Sequence, residues 1–152
     1  MQIWVDADAC PGAIKNILIR AAKRTGIEMT LVANHPLRVP PVKNIHFLLV
    51  PSGSDVADNE ILKRITAGDL VITADIPLAN EVLKKKCYAL SPHGELFNLD
   101  SIGARLSMRN FMESLRAAGV KTGGPEAMNP STKKAFADQL DRILTQAQKN
   151  SP

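Results

Sequence analysis

Asp6, Asp8, Asp55, Asp58 and Asp75 are the residues whose type and placement could do chemistry. They fall in three short segments, DADACP at 6–11, SDVADNE at 54–60 and TADIPLA at 73–79, and each segment follows an apolar run. If those runs are strands of one sheet, the five carboxylates converge on one edge. Carboxylates gathered in this way repel one another unless protons or a hard divalent cation such as Mg²⁺ or Mn²⁺ neutralise them. A metal-dependent acidic site is therefore the leading expectation, with Asp6, Asp8, Asp58 and Asp75 as the catalytic set and Asp55 joining them as a ligand. Aspartate also caps helices for purely local reasons. Asp55 is equally well explained as a cap, and Asp8 has the same local explanation ahead of the helix that follows Pro11. Asp69 reads as a turn residue after Gly68, Asp100 as a helix cap, and Glu60 as a surface or supporting position.

The elements that must carry these residues are legible from periodicity. Gln2 to Asp6 reads as a strand, and Ile14, Ile17, Leu18, Ala21 and Ala22 then recur at helical spacing up to Gly26. Glu28–Ala33 and Ile45–Val50 read as buried strands joined by a proline-bearing loop, His35 to Pro41. A cap at Ser54 or Asp55 starts a helix through about Ala67, with Ile61, Leu62 and Ile65 inward. Leu70 to Thr73 is a strand that delivers Asp75, and Leu78, Val82 and Leu83 pack the next helix before a fifth strand at Cys87–Leu90. Residues 99–118 form a helix with Ile102, Leu106, Met108, Met112 and Leu115 on its apolar side. Ser131–Gln148 forms another with Phe136, Leu140, Ile143, Leu144 and Ala147. The alternation of strand and helix predicts one α/β domain over residues 1–152, a three-layer parallel sheet with added C-terminal helices. The stretch from Gly119 to Pro130 reads as a loop.

Composition narrows the function classes. No apolar run approaches the roughly 20 residues needed to cross a bilayer, and the first residues do not resemble a signal peptide; a cytoplasmic protein with no membrane partner is expected. Cys10 and Cys87 lack both the density of a disulfide framework and the spacing of a zinc site, and read as buried thiols. Carboxylates beside Cys10 would raise its pKa. His35, His46 and His93 read as structural, and Ser91-Pro92-His93-Gly94 reads as a turn that is a lesser candidate for lining the site. Residues 1–100 hold eleven basic and eleven acidic residues, whereas 101–152 hold eight and four, so the last third supplies the whole net charge of +4. A basic surface beside an acidic metal centre suits a polyanion. With 4% aromatic residues a base-stacking platform is not expected, and Trp4 reads as core.

The segments DADACP, SDVADNEI, TADIPLA and GGP, with the ending ADQLDRIL, resemble the YaiI/YqxD family of bacterial proteins across nearly the whole chain. That family is grouped with PIN-like domains, a class of metal-dependent ribonucleases, so the resemblance implies a PIN-like (Rossmann-like) domain. Asp6 matches the acid that ends the first strand, Asp58 the acid opening the helix before the fourth strand, and Thr73-Ala74-Asp75 the T-x-D after that strand. Ile76 and Pro77 stand where many PIN nucleases carry a further acid or Asn, and no obvious Glu follows the first helix; Asp8 and Asp55 are the candidate substitutes. The expected activity is hydrolysis of phosphodiester bonds, RNA ahead of DNA, with Mg²⁺ or Mn²⁺ held by Asp6, Asp58 and Asp75. Lys15, Arg105 and Arg109 are the candidate phosphate contacts. Two alternatives stand beside it: a phosphatase with Asp6 as aspartyl nucleophile and Asp8 as acid and base, and a non-catalytic adaptor that binds nucleic acid.

Overall fold

The computed structural model describes residues 1–53, 55–121 and 128–149. Ser54, the GGP segment and most of the expected loop between Gly119 and Pro130 lie outside the described residues. Five strands form one all-parallel sheet in the order β3-β2-β1-β4-β5. They are β1 (Ile3–Asp6), β2 (Met29–Ala33), β3 (Ile45–Leu49), β4 (Leu70–Ile72) and β5 (Tyr88–Leu90). A parallel sheet covered on both faces needs strands without polar alternation, and every residue of β1 and β4 is buried.

One face is covered by α1 (Gly12–Thr25) and α5 (Pro130–Lys149), whose Ile14, Leu18, Phe136, Leu140 and Leu144 share a core with Ile3, Val5, Leu31 and Ile72. The other face carries α2 (Val56–Arg64), α3 (Ile76–Lys84) and α4 (Leu99–Ala117), where Ile61, Leu78, Val82 and Ile102 pack with Trp4, Val32 and Val71. The result is the three-layer α/β, Rossmann-like architecture expected, with α4 and α5 as the added helices. The sheet grows outward from β1 through β2 to β3, then resumes on the other side of β1 with β4 and β5. Between β1 and β4 the direction of winding switches, and in open α/β sheets the crevice for ligands opens there, beyond the carboxyl ends of the strands.

Several local expectations change. Residues 34–44 link parallel strands with no helix, and Leu37, Val39 and Val42 from that link pack onto the α1/α5 core in its place. Helix α2 stops at Arg64 rather than Ala67 because Ile65 is already extended, with ψ of 148°. On α4 only Ile102 is buried; Leu106, Met112 and Leu115 are half-buried, and Met108 and Phe111 are 57% and 58% exposed. Met108 is therefore not a core position. Trp4 is core, as expected, but Asp69 is no ordinary turn residue. It is 4% exposed, and its carboxylate accepts from Trp4 Nε1 (3.1 Å), the Gln2 amide (2.9 Å), the Thr66 amide (3.0 Å) and Thr66 Oγ1 (3.3 Å). This knot ties the starts of β1 and β4 at the edge opposite the crevice. Among the described residues no helix is long and apolar enough to cross a membrane.

Candidate active site

Asp6 ends β1 and is 8% exposed. Its Oδ2 accepts from Thr73 Oγ1 at 3.0 Å, and the same Thr73 oxygen accepts from the Asp75 amide at 3.0 Å. Thr73 lies one residue past β4, so its hydroxyl spans the switch point and fixes both acids. The Asp75 carboxylate accepts from the Leu78 amide at 3.0 Å and caps α3, a site pre-organised by Pro77 in the first turn.

Asp58 arrives from the first turn of α2. Its carboxyl is pushed up to about 7, first by burial, then by the charges of Asp75 and Asp6, a hydrogen bond with Asp75, and the charge of Asp55. Asp58 thus holds its proton well above the ordinary carboxylate range where nothing else neutralises the cluster. Asp6 is raised as well, by burial first and by Asp75 and Asp8, with the Thr73 hydrogen bond opposing. The three acids matched by resemblance thus converge at the crevice.

Asp8 and Asp55 stand at its margin. Asp55 is exposed, left-handed at φ of 63°, and makes no side-chain cap to α2, so the capping explanation fails for it. Asp8 caps nothing either, since α1 opens at Pro11 without a side-chain cap. The 3-10 turn at Ala7–Ala9 aims Asp8 at the end of β2, where it accepts from the Asn34 amide at 2.9 Å and pairs with His35 Nδ1 at 2.7 Å.

Among the described residues no three His, Cys, Asp or Glu side chains stand in a metal-holding arrangement. The donor set nonetheless matches a hard cation in kind: oxygen only, mutually repelling and partly desolvated. Asp6, Asp58 and Asp75 are the residues that would hold one.

Of the expected cations, Lys15 is half-buried at the start of α1 and its charge reaches Cys10, as does that of Asp6. The Cys10 thiol is pushed up to about 12, chiefly by burial rather than by the neighbouring acid, which leaves it inert. Arg105 pairs with Glu95 and lines a cavity beside Asp75. Arg109 pairs with Glu113 on the same helix at 3.1 Å and does not line that cavity, so its placement beside the acids is not seen. The sequence points to the Ser91–Gly94 turn and to Arg105, but not to the cavity they form with Ala74, Ile76, Glu95 and Phe97. Sequence reasoning also missed a groove between α1 and α5 lined by Arg20, Arg24, Lys133 and Lys134 with Asp141. The chain does carry a signal for the groove: Arg20 and Arg24 are four apart on α1, hence on one face.

A family model described as "Uncharacterized BCR, YaiI/YqxD family" matches residues 4–146. The "UPF0178 protein" of Syntrophotalea carbinolica is 63% identical over 145 residues, which cover 95% of this chain and 98% of that protein. Those of Thioalkalivibrio sulfidiphilus and Shewanella sediminis are 62% and 59% identical, covering 95% and 98% of this chain and 98% and 99% of their own lengths.

Proposed function

The chain belongs to the YaiI/YqxD family, and for this member we propose divalent-cation-dependent hydrolysis of phosphodiester bonds in nucleic acid, RNA ahead of DNA, at Asp6, Asp58 and Asp75. The observation that carries the reading is the convergence of these acids at the switch point, where Thr73 joins Asp6 to the Asp75 amide and the charges of Asp75 and Asp6 reach Asp58. Clustered acids, two of which, Asp6 and Asp58, have their proton affinity raised by burial and by neighbouring carboxylates, favour a doubly charged cation over separately screened charges. The resemblance to PIN-like nucleases at the same positions supports it. Bound Mg²⁺ or Mn²⁺ would supply Lewis acidity toward a phosphate oxygen and toward water.

The chain's own residues divide the remaining work. Thr73 orients Asp6 and Asp75 through one hydroxyl. The α1/α5 groove offers four cations against one lining acid, a counter-charge for a phosphate backbone. Asp8 is less suited to the aspartyl-phosphatase alternative, because a free acid–base partner for Asp6 is needed and Asp8 is already engaged by Asn34 and His35.

The test is cleavage of a mixed set of single-stranded RNA and DNA oligonucleotides with Mg²⁺ or Mn²⁺, alongside calorimetric titration of Mn²⁺. Asp75→Asn isolates the charge, since asparagine still caps α3. Expected are metal binding by the wild type, its loss in Asp6→Asn and Asp75→Asn, and a fall in cleavage of at least about 100-fold in each. Nucleic-acid binding without cleavage, unchanged in both variants, would replace this reading with the adaptor.

A further inference from the structure

The cavity beside the acids has a volume of about 420 Å³, within the range of small-molecule sites. Ala74 and Ile76, the two neighbours of Asp75 in the chain, form one of its walls, so anything held there lies against the carboxylate crevice.

Another part of its wall is the hydrogen-bonded turn from Ser91 to Glu95. The Ser91 amide donates to the Glu95 carbonyl at 2.9 Å and the Gly94 amide to the Ser91 carbonyl at 3.0 Å. Ser91, 6% exposed, also accepts at its Oγ from the amides of His93 (3.2 Å) and Glu95 (3.1 Å). With both lone pairs taken, the Ser91 hydroxyl has only a donor left to offer. Gly94 clamps the turn onto α5: at φ of +90°, a Cβ there would come 2.8 Å from the Ala135 carbonyl carbon and 2.9 Å from the Phe136 amide nitrogen.

The polar groups on the walls select the occupant. Arg105 alone would attract phosphate, but Glu95 is paired to it and lines the same space. The pair cancels its own charge and presents donors and an acceptor side by side, while Ile76 and Phe97 add apolar surface. A bare phosphate meets a carboxylate there. A planar heterocycle with adjacent hydrogen-bond donors and acceptors meets complements for both.

We infer that this cavity is a nucleobase-binding pocket, which holds the base of a nucleotide next to the phosphodiester presented to Asp6, Asp58 and Asp75. The choice of nucleotide as ligand rests on the nuclease reading above, but the pocket is testable without catalysis. Phe97 is only 4% exposed and leaves little ring surface for stacking. Recognition therefore depends on the polar edges and tolerates the chain's scarcity of aromatic residues.

The experiment is an NMR titration of the chelator-treated protein, following the amides of residues 89–98, with GMP, AMP, CMP and UMP and with ribose 5-phosphate as a base-free control. At least one nucleotide should saturate below about 1 mM, and at least about tenfold more tightly than ribose 5-phosphate. Ala74→Trp, at an exposed position, should weaken that nucleotide at least about tenfold with an unchanged melting temperature. Glu95→Gln, also at the surface, releases Arg105 and should tighten ribose 5-phosphate while weakening the nucleotide. No saturation by any nucleotide, equal binding of ribose 5-phosphate, or wild-type affinity in both variants would each overturn the pocket. Asp6→Asn separates this inference from the activity: it should keep the wild-type preference for the nucleotide over ribose 5-phosphate, since both carry the phosphate that faces the acids. Binding without cleavage of any oligonucleotide by the wild type would sink the nuclease reading and leave the pocket. Cleavage without nucleotide binding would do the reverse.

Discussion

At the scale of single residues, the crevice stores electrostatic stress. The Asp58 carboxyl rises from the ordinary 3.8 to about 7, so between those values the folded chain keeps a proton that the unfolded chain has released. The sign follows: protonation favours the fold, and stability falls as pH rises from about 4 through about 7, then levels off. Asp6, raised in the same direction, adds to the fall. In chelator, the midpoint of thermal melting should decrease from pH 5 to pH 8. Asp58→Asn should flatten that decrease and melt above the wild type at pH 8, where the charge it removes is the one repelled. A wild-type midpoint that rises over this interval would refute the account. Thr73 is the other lever at this scale. Thr73→Val keeps the shape but deprives Asp6 of a donor and the Asp75 amide of its acceptor. We expect it to cost about 1–3 kcal/mol in urea unfolding, and to lower cleavage without moving the oligonucleotide preference.

At the scale of elements, the two ends of the sheet divide labour: the carboxyl edge carries the strained acids and the opposite edge carries the Asp69 knot. Asp69→Ala would leave the Trp4 indole N–H and the Thr66 amide without their acceptor, and should lower urea-unfolding stability by about 3 kcal/mol. Cleavage per folded molecule should stay at the wild-type level, since the crevice is at the far edge. Gly94→Ala should both destabilise the fold and weaken nucleotide binding, because it pushes the Ser91–Glu95 turn off α5. How far the sequence discloses these elements depends on the range of the forces involved. The strands are legible because a doubly covered parallel sheet demands uninterrupted apolar runs, and the positions of Asp6 and Asp75 follow from where those runs stop. Asp69 is not, since Gly68-Asp69 reads as a turn and nothing local tells that Trp4, 65 residues away, needs an acceptor. Met108 misleads because periodicity reveals an apolar stripe but not whether another layer arrives to cover it. The cap expected of Asp8 fails for the same reason, as its partners Asn34 and His35 belong to the end of another strand. The nucleobase pocket joins α3, the β5–α4 turn and α4, and no spacing in the chain announces such a meeting.

At the scale of the whole molecule, the acids lie between two separate cores, and the basic groove lies over only one of them. Arg20 and Lys133 line that groove and make no ion pair with a described residue, whereas Arg24 and Lys134 are held by Asp141 and Asp138 at 2.9 and 2.8 Å. Arg20→Glu with Lys133→Glu should weaken single-stranded RNA at low salt and reduce the slope of log affinity against log salt by about 0.7 for each phosphate no longer neutralised. A fluorescence-anisotropy series at several salt concentrations checks this, and an unchanged slope would remove the groove from the binding surface. The α1/α5 core has a further consequence, which concerns vectorial synthesis. All five strands are encoded by residue 90, but Phe136, Leu140, Ile143 and Leu144, which finish covering one face of the sheet, come from the last helix in chain order. At roughly 5–20 residues per second, a ribosome needs several seconds to pass from the fifth strand to those side chains. During that interval the nascent sheet shows water a half-sheltered apolar face, so this chain has a built-in need for shelter at the ribosome that its finished shape conceals.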